Sequence, residues 1–275
     1  MRTAAAIRRG LIRPNYDVDA KAFFDQIART GPALSAHDKT AFNAWFVGLK
    51  SDAGNTYARL SRVGWFGNAS QPASCVDLIQ PSKSWSPGGT IHWAAYQGFT
   101  GDVANGSHVS SVDNIGDSLY QKDSASGGGI INQTNGAGAS FDQFGSSGAI
   151  LRCTHGMGSG ATSAGICNSS TGASSSAVNY PDRNGFSCVV RTDSTHVAFY
   201  RNPTGNNALA TNPNSTSAAI SATPMYALRR GMTLPAFSPD RALMAFWGGS
   251  MTGAQVQALY DRSIALATAL GCPLS

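Results

Sequence analysis

Fifteen carboxylates and five histidines are the side chains of this 275-residue sequence with which acid–base or metal chemistry would be done. Every one of the fifteen acids is aspartate, and glutamate is absent. Glycoside cleavage needs a pair of carboxylates across the scissile bond, one protonated as acid and one acting as nucleophile or base. The strand motif that places alternating Glu-x-Asp-x-Glu on one face cannot be written here. Aspartate pairs remain to be considered, Asp113 with Asp117, or Asp102. All three stand among Gly, Ser and Asn, where aspartate forms turns by bonding its own backbone. The stretch Gly156-Met157-Gly158-Ser159-Gly160 is not the G-x-S-x-G elbow of a serine hydrolase, and no strong helix follows it. It also lacks the βαβ setting of a dinucleotide loop, and no P-loop is present.

His37, His92, His108, His155 and His196 are scattered without helical metal spacing. Cys153-Thr154-His155 offers two ligands but not the rest of a closed zinc site. The other cysteines, Cys75, Cys167, Cys188 and Cys272, form no C-x-x-C pair. Buried free thiols are expected, with a disulfide between two of Cys153, Cys167 and Cys188 as the alternative. No cofactor is expected. Calcium is the one ion whose ligand types are at hand, at Asp113-Asn114 and at Asp142. The chain therefore reads as a non-enzyme, and binding is what its aromatic residues leave open. Trp65, Trp85, Trp93 and Trp247 stand in or near strand-like runs, the last two as core. Trp85, flanked by Ser84 and Ser86 and followed by Pro87-Gly88, is the candidate for an exposed ring on which a sugar stacks.

The elements that must position these groups divide the chain into three. Residues 1–18 read as an extended arm, because Arg13-Pro14 disfavours helix and Arg2, Arg8, Arg9 and Arg13 precede the first acid. Those four arginines are the candidate anchor to an acidic neighbour. No basic stripe interleaved with aromatics appears, so the formal charge of +5 does not point to nucleic acid. No run is apolar enough to span a membrane, and the first twelve residues carry no secretory pattern, so synthesis in the cytoplasm is expected.

Residues 19–70 read as a helical segment. Asp17 or Asp19 caps a helix through Arg29, Ser35 caps a second carrying Phe42, Trp45, Phe46 and Leu49, and a third turn covers Tyr57 to Val63. From Cys75 the period changes to short runs (Thr90–Trp93, Gly148–Cys153, Phe186–Arg191, Val197–Arg201, Leu243–Trp247) set between turn residues, the mark of a sandwich or barrel. The polar tract from Gly156 to Ser176 reads as a surface loop or edge hairpin. Thr252-x-x-Gln255 opens a helix through Leu270, ended by Gly271 and Pro273.

The run Ala245-Phe246-Trp247-Gly248-Gly249-Ser250-Met251-Thr252-Gly253-Ala254-Gln255, on through Ala258-Leu259-Tyr260 to Gly271, resembles the end of a family of bacteriophage and prophage virion proteins. These carry a concanavalin A-like (laminin-G-like) jelly roll. Tyr96 to Asp102 is similar to that family's glycine-rich turn, Asp193 to Asn202 to its back-sheet hairpin, and Asp19–Phe24 with Leu34–Lys50 to its two leading helices. The resemblance implies a mainly β fold, a jelly-roll sandwich over 75–275 with a closing helix at 252–270. It further implies a virion surface protein: a capsid decoration, fibre, or tail or baseplate appendage. The expected partners are other virion proteins, further copies of the chain and a host surface glycan. A carbohydrate-binding, lectin-like module is the alternative, with a glycan-cleaving enzyme behind it.

Overall fold

A computed structural model describes residues 15–52, 54–116, 119–133, 140–146, 151–156, 163–169, 173–175, 184–220, 223–229 and 237–274. Helix α1 (Val18–Thr30) begins where the Asp17 carboxylate accepts the Asp19 N–H at 3.0 Å. Helix α2 (Ala36–Ser51) begins where Ser35 Oγ accepts the Asp38 N–H at 3.1 Å. Both caps satisfy donors that the first helical turn leaves unpaired. The third expected helix is a correction. Only Thr56–Arg59 turns as a 3₁₀ helix, and Leu60–Trp65 is strand β1. Every β1 residue is buried, so the strand takes its conformation from pairing with a neighbour far along the chain rather than from local preference. The sandwich thus starts at Leu60, inside the segment expected to be helical.

A short helix α3 (Gln71–Ser74) follows, then β2 (Trp85–Gly88), β3 (His92–Ala94), β4 (Gly98–Thr100), β5 (His108–Asn114), β6 (Ala125–Gln133), β7 (Ser140–Gly145), β8 (Leu151–Gly156), β9 (Ser163–Cys167), β10 (Ala173–Ser175), β11 (Gly185–Arg191), β12 (Val197–Arg201), β13 (Ala210–Asn212), β14 (Pro224–Ala227) and β15 (Arg241–Gly248). Helix α4 (Gly253–Ala269) closes the fold with the Thr252–Gln255 capping box fully formed. The strands make two antiparallel sheets. Sheet I runs β13-β12-β11-β6-β15-β4-β3, with β1 beside the second half of β15, and sheet II runs β10-β9-β8-β7-β14-β5-β2. The expected jelly-roll-like sandwich with a closing helix is what these residues form. The described part of the polar tract after Gly156 forms the edge hairpin β9–β10 of sheet II.

Sheet I is buried on both faces. Phe186, Cys188, Val190, Met244 and Phe246 face the helices, joining Phe23, Phe42, Trp45, Phe46 and Leu259 in one apolar cluster. Val189, Ala245 and Trp247 face sheet II, joining Phe66, Trp85, Phe99, Phe144 and Phe199 in a second. Each such large side chain stabilises the fold by roughly 1.5–3 kcal/mol on burial. The helix layer is closed by polar bonds as well: Trp45 Nε1 donates to Ser263 Oγ at 3.3 Å, and Arg262 pairs with Asp52 at 2.8 Å. The order is therefore helices, sheet I, sheet II, and the far face of sheet II carries none of the four helices.

Candidate functional site

Trp85 is not the exposed ring expected from its serine, proline and glycine neighbours. It is 1% exposed, its Nε1 donates to Asp77 Oδ2 at 2.9 Å, and its ring meets Phe66 edge-on at 5.6 Å. Strand β2 pairs with β5 and points this ring between the sheets, so no sugar can stack on it. The arm residues Arg2, Arg8, Arg9 and Arg13, together with Asp117, the Asp142 side chain and Met157–Gly160, lie outside the described residues.

The described aspartates that converge do so on cations. Asp17 and Asp19 each lie 2.6 Å from Lys50 Nζ. Asp77 and Asp113 share Arg62, at 2.9 and 2.6 Å, and Lys83 adds a second cation to Asp113 at 2.9 Å. The bond from Lys83 and the charge of Arg62 hold the Asp113 carboxyl below its ordinary range. A proton donor for glycoside cleavage requires the opposite shift. Asp113 is thereby committed to its cations, and the described residues contain no cluster of three or more metal-ligating side chains. Asp102 Oδ1 caps its own turn, accepting the Ala104 and Asn105 N–H groups at 3.0 and 3.3 Å. Asp193, Thr195 and His196 lie close enough to suggest a relay. Yet Thr195 Oγ1 and Asp193 both contact the same ring nitrogen, His196 Nδ1, at 3.1 and 2.9 Å. A nucleophile–base–acid relay needs opposite ring nitrogens, so this is a turn. The five cysteines are free thiols, four of them buried, and burial raises Cys167 and Cys272 to about 12.

The arrangement best suited to ligand contact lies on the outer face of sheet II. Alternation along β5 sends Val109 and Ser111 inward and His108, Ser110, Val112 and Asn114 outward. On the neighbouring strands, β2 places Ser86 opposite Ser110 and Gly88 opposite His108, while β14 places Tyr226 opposite Ser110. An isolated bridge pairs Arg229 with Phe237 on the same face. The His108 ring meets Tyr226 at 5.4 Å and Phe237 at 6.3 Å. The Arg229 guanidinium lies 4.8 Å from the Tyr226 ring centre and 5.3 Å from that of Phe237. Tyr226 is buried beneath these groups, whereas His108, Arg229 and Phe237 are half-buried and meet solvent.

Two glycines make the cluster fit. A Cβ on Gly88 would stand 2.6 Å from His108 Cε1, so the ring lies directly on the glycine backbone. Gly106, at φ 65°, closes the loop beneath Phe237 and presents its carbonyl to His108 Nδ1 at 2.9 Å. A carbonyl only accepts, so the neutral ring carries its proton on Nδ1 and keeps Nε2 as an acceptor. Burial lowers the His108 pKa, the Gly106 carbonyl opposes that shift, and the Arg229 charge adds to it. The cluster thus combines apolar ring surface, a cation and a hydrogen-bond acceptor, and lacks a carboxylate among the four.

Sequence reasoning did not find this site because its members lie in three separate stretches, each ordinary by itself. The one local signal was the alternation His108-x-Ser110-x-Val112, which marks a strand with one solvent face.

No family model matches the chain, and no curated protein matches it. Solved structures do. The receptor-binding domain of botulinum neurotoxin D is 8% identical, with a TM-score of 0.52 over 76% of this chain and 54% of that one. The same toxin's ligand-binding domain in complex with N-acetylneuraminic acid gives 8% and 0.51, over 79% and 53%. A Trypanosoma rangeli sialidase in complex with 2,3-difluorosialic acid gives 8% and 0.52, over 81% and 37%. The chain spans about half, or less, of the length of these proteins, and at such identity the likeness is one of fold.

Proposed function

We propose that the chain is a carbohydrate-binding, lectin-like module whose contact surface is the outer face of sheet II. The observation that carries this reading is the His108–Tyr226–Phe237–Arg229 cluster. It sets half-buried rings beside hydroxyl-bearing Ser86 and Ser110 on a face without helices. Sugar rings offer apolar C–H faces to aromatic side chains and hydroxyls to a polar rim. The matched folds include a toxin domain solved with N-acetylneuraminic acid and a sialidase solved with a sialic acid derivative, which supports the choice of ligand class. A catalytic role has less support, because the described carboxylates that meet do so on cations.

Replacing His108 or Phe237 by alanine is expected to weaken binding on a glycan array or in co-sedimentation roughly tenfold, the worth of one good aromatic contact. The melting temperature should move little for these half-buried sites. Unchanged binding in both variants overturns the assignment of the face.

A second reading, in which bacteriophage particles carry this module on their surface, is favoured by the segregation of the molecule. The helix layer covers one side of sheet I and leaves the cluster on the opposite side of the sandwich. The resemblance over Ala245–Gly271 supports it, since that run forms β15, a glycine turn and α4 in the order implied. In this reading the arm and helices dock on other virion proteins or further copies, as a decoration, fibre or appendage subunit. Electron microscopy of purified particles tests it: density for this chain on the particle surface supports the reading, and particles without it refute it.

A further inference from the structure

The outer face of sheet II does not end at the aromatic cluster. From His108 to Asn114, β5 continues for about 20 Å at ~3.3 Å per residue, and its outward positions stay open to solvent. The residues along this strip are Ser86, Gly88, Ser110, Val112, Asn114 and Pro224. All are short, Val112 is 57% exposed, and Ser86 and Asn114 are exposed at either edge. The Ser110 hydroxyl donates to the Ser86 carbonyl at 3.4 Å across the strand pair. Between the cluster and Asn114, no large side chain on β2 or β5 rises from the face to make a wall.

Small ligands held tightly by one residue or ring are enclosed on most of their surface. A flat strip cannot enclose a single sugar, and gains affinity only by adding contacts in series. Resting on the glycan-binding reading above, we infer that the site takes an internal run of a polysaccharide. One ring sits at His108 and Phe237, and the following rings lie along β5 over Ser110 and Val112 toward Asn114. The ligand class is then a linear polysaccharide recognised along its length, not a chain end or a free monosaccharide.

Length dependence tests this. The full chain would be titrated calorimetrically with neutral glucan, galactan and mannan and with acidic polysialic acid, and then with ladders of oligosaccharides cut from whichever polymer binds. The expected result is affinity rising at least about tenfold from disaccharide to hexasaccharide and then levelling. The variant Val112→Tyr, which raises a wall on the strip beyond the first two rings, should erase the gain from disaccharide to hexasaccharide. Equal affinity for short and long oligosaccharides, or a Val112→Tyr chain that keeps the gain, overturns the inference and leaves the glycan-binding reading intact. No binding to any polymer or oligosaccharide, by a chain shown to be folded, removes that reading and this inference together.

Discussion

Gly129→Ala should destabilise the protein by about 3 kcal/mol or more, the upper range for overpacking a core. Strand β6 carries Gly127, Gly128 and Gly129 at the centre of sheet I, between β11 and β15. A Cβ on Gly129 would stand 2.1 Å from the Met244 carbonyl oxygen and 2.5 Å from the Phe144 ring. One obstacle is backbone of the adjacent strand, and the other is a fully buried ring at the heart of the sandwich. Neither can yield by a rotamer change. Gly128 is equally tight, with its Cβ position 1.9 Å from the Ser187 carbonyl. Glycine normally weakens a strand interior. Here it permits close approach of the backbones on both sides, and alanine cannot follow. Urea denaturation gives the measure: the midpoint should fall sharply at constant slope. A Gly129→Ala chain as stable as the parent would refute this account of the central strand.

Asp77→Ala is expected to cost about 3–5 kcal/mol, as removal of one member of a buried ion pair does. Asp77 is fully buried and accepts from five groups besides the guanidinium's second contact at Asp113. Its Oδ2 takes Arg62 Nε at 2.9 Å, the Val63 N–H at 3.1 Å and Trp85 Nε1 at 2.9 Å. Its Oδ1 takes the Ile79 and Gln80 N–H groups at 2.9 and 2.8 Å. Burial pushes the carboxyl up, while Arg62 and the N–H donors pull it back toward the ionised form. Without it, the Nε of a guanidinium that is 1% exposed and four N–H groups lose their acceptor inside the fold, while the other guanidinium nitrogens keep Asp113 and the Ser84 carbonyl. Arg62→Met should cost less, because Asp77 then keeps its four other donors. The order Asp77→Ala worse than Arg62→Met, read from denaturation midpoints, is the specific expectation. The reverse order would mean that the guanidinium, not the carboxylate, organises this junction.

What could be read in the sequence was local. Asp17, Ser35 and Thr252 announce their helices because a cap needs only a side chain two or three residues from its donor. The runs Phe186–Arg191 and Leu243–Trp247 announce strands, yet they do not alternate, because sheet I is covered on both faces. Strand β1 escaped for the same reason: Leu60–Trp65 carries no alternation and earns its conformation by pairing with Met244–Gly248. Ser84-Trp85-Ser86-Pro87-Gly88 is a turn-like setting that by itself points to an exposed ring. The groups that bury it, Phe66 and Asp77, are held against β1 and β15 and meet the ring only in the folded sandwich. The cluster itself depends on residues 108, 226, 229 and 237 meeting on one face. His108 stands more than a hundred residues from the other three, and the sheet order that joins them leaves no trace in composition.

Hydrogen exchange on the full chain, with and without a saturating polysaccharide found by the calorimetric survey, tests most directly where ligand sits. Protection is expected on β5, β14, the loop from Gly101 to Ser107 and the segment beginning at Phe237, with α1, α2 and α4 unchanged. Protection confined to the helix layer, with the outer face of sheet II exchanging as before, would contradict the assignment.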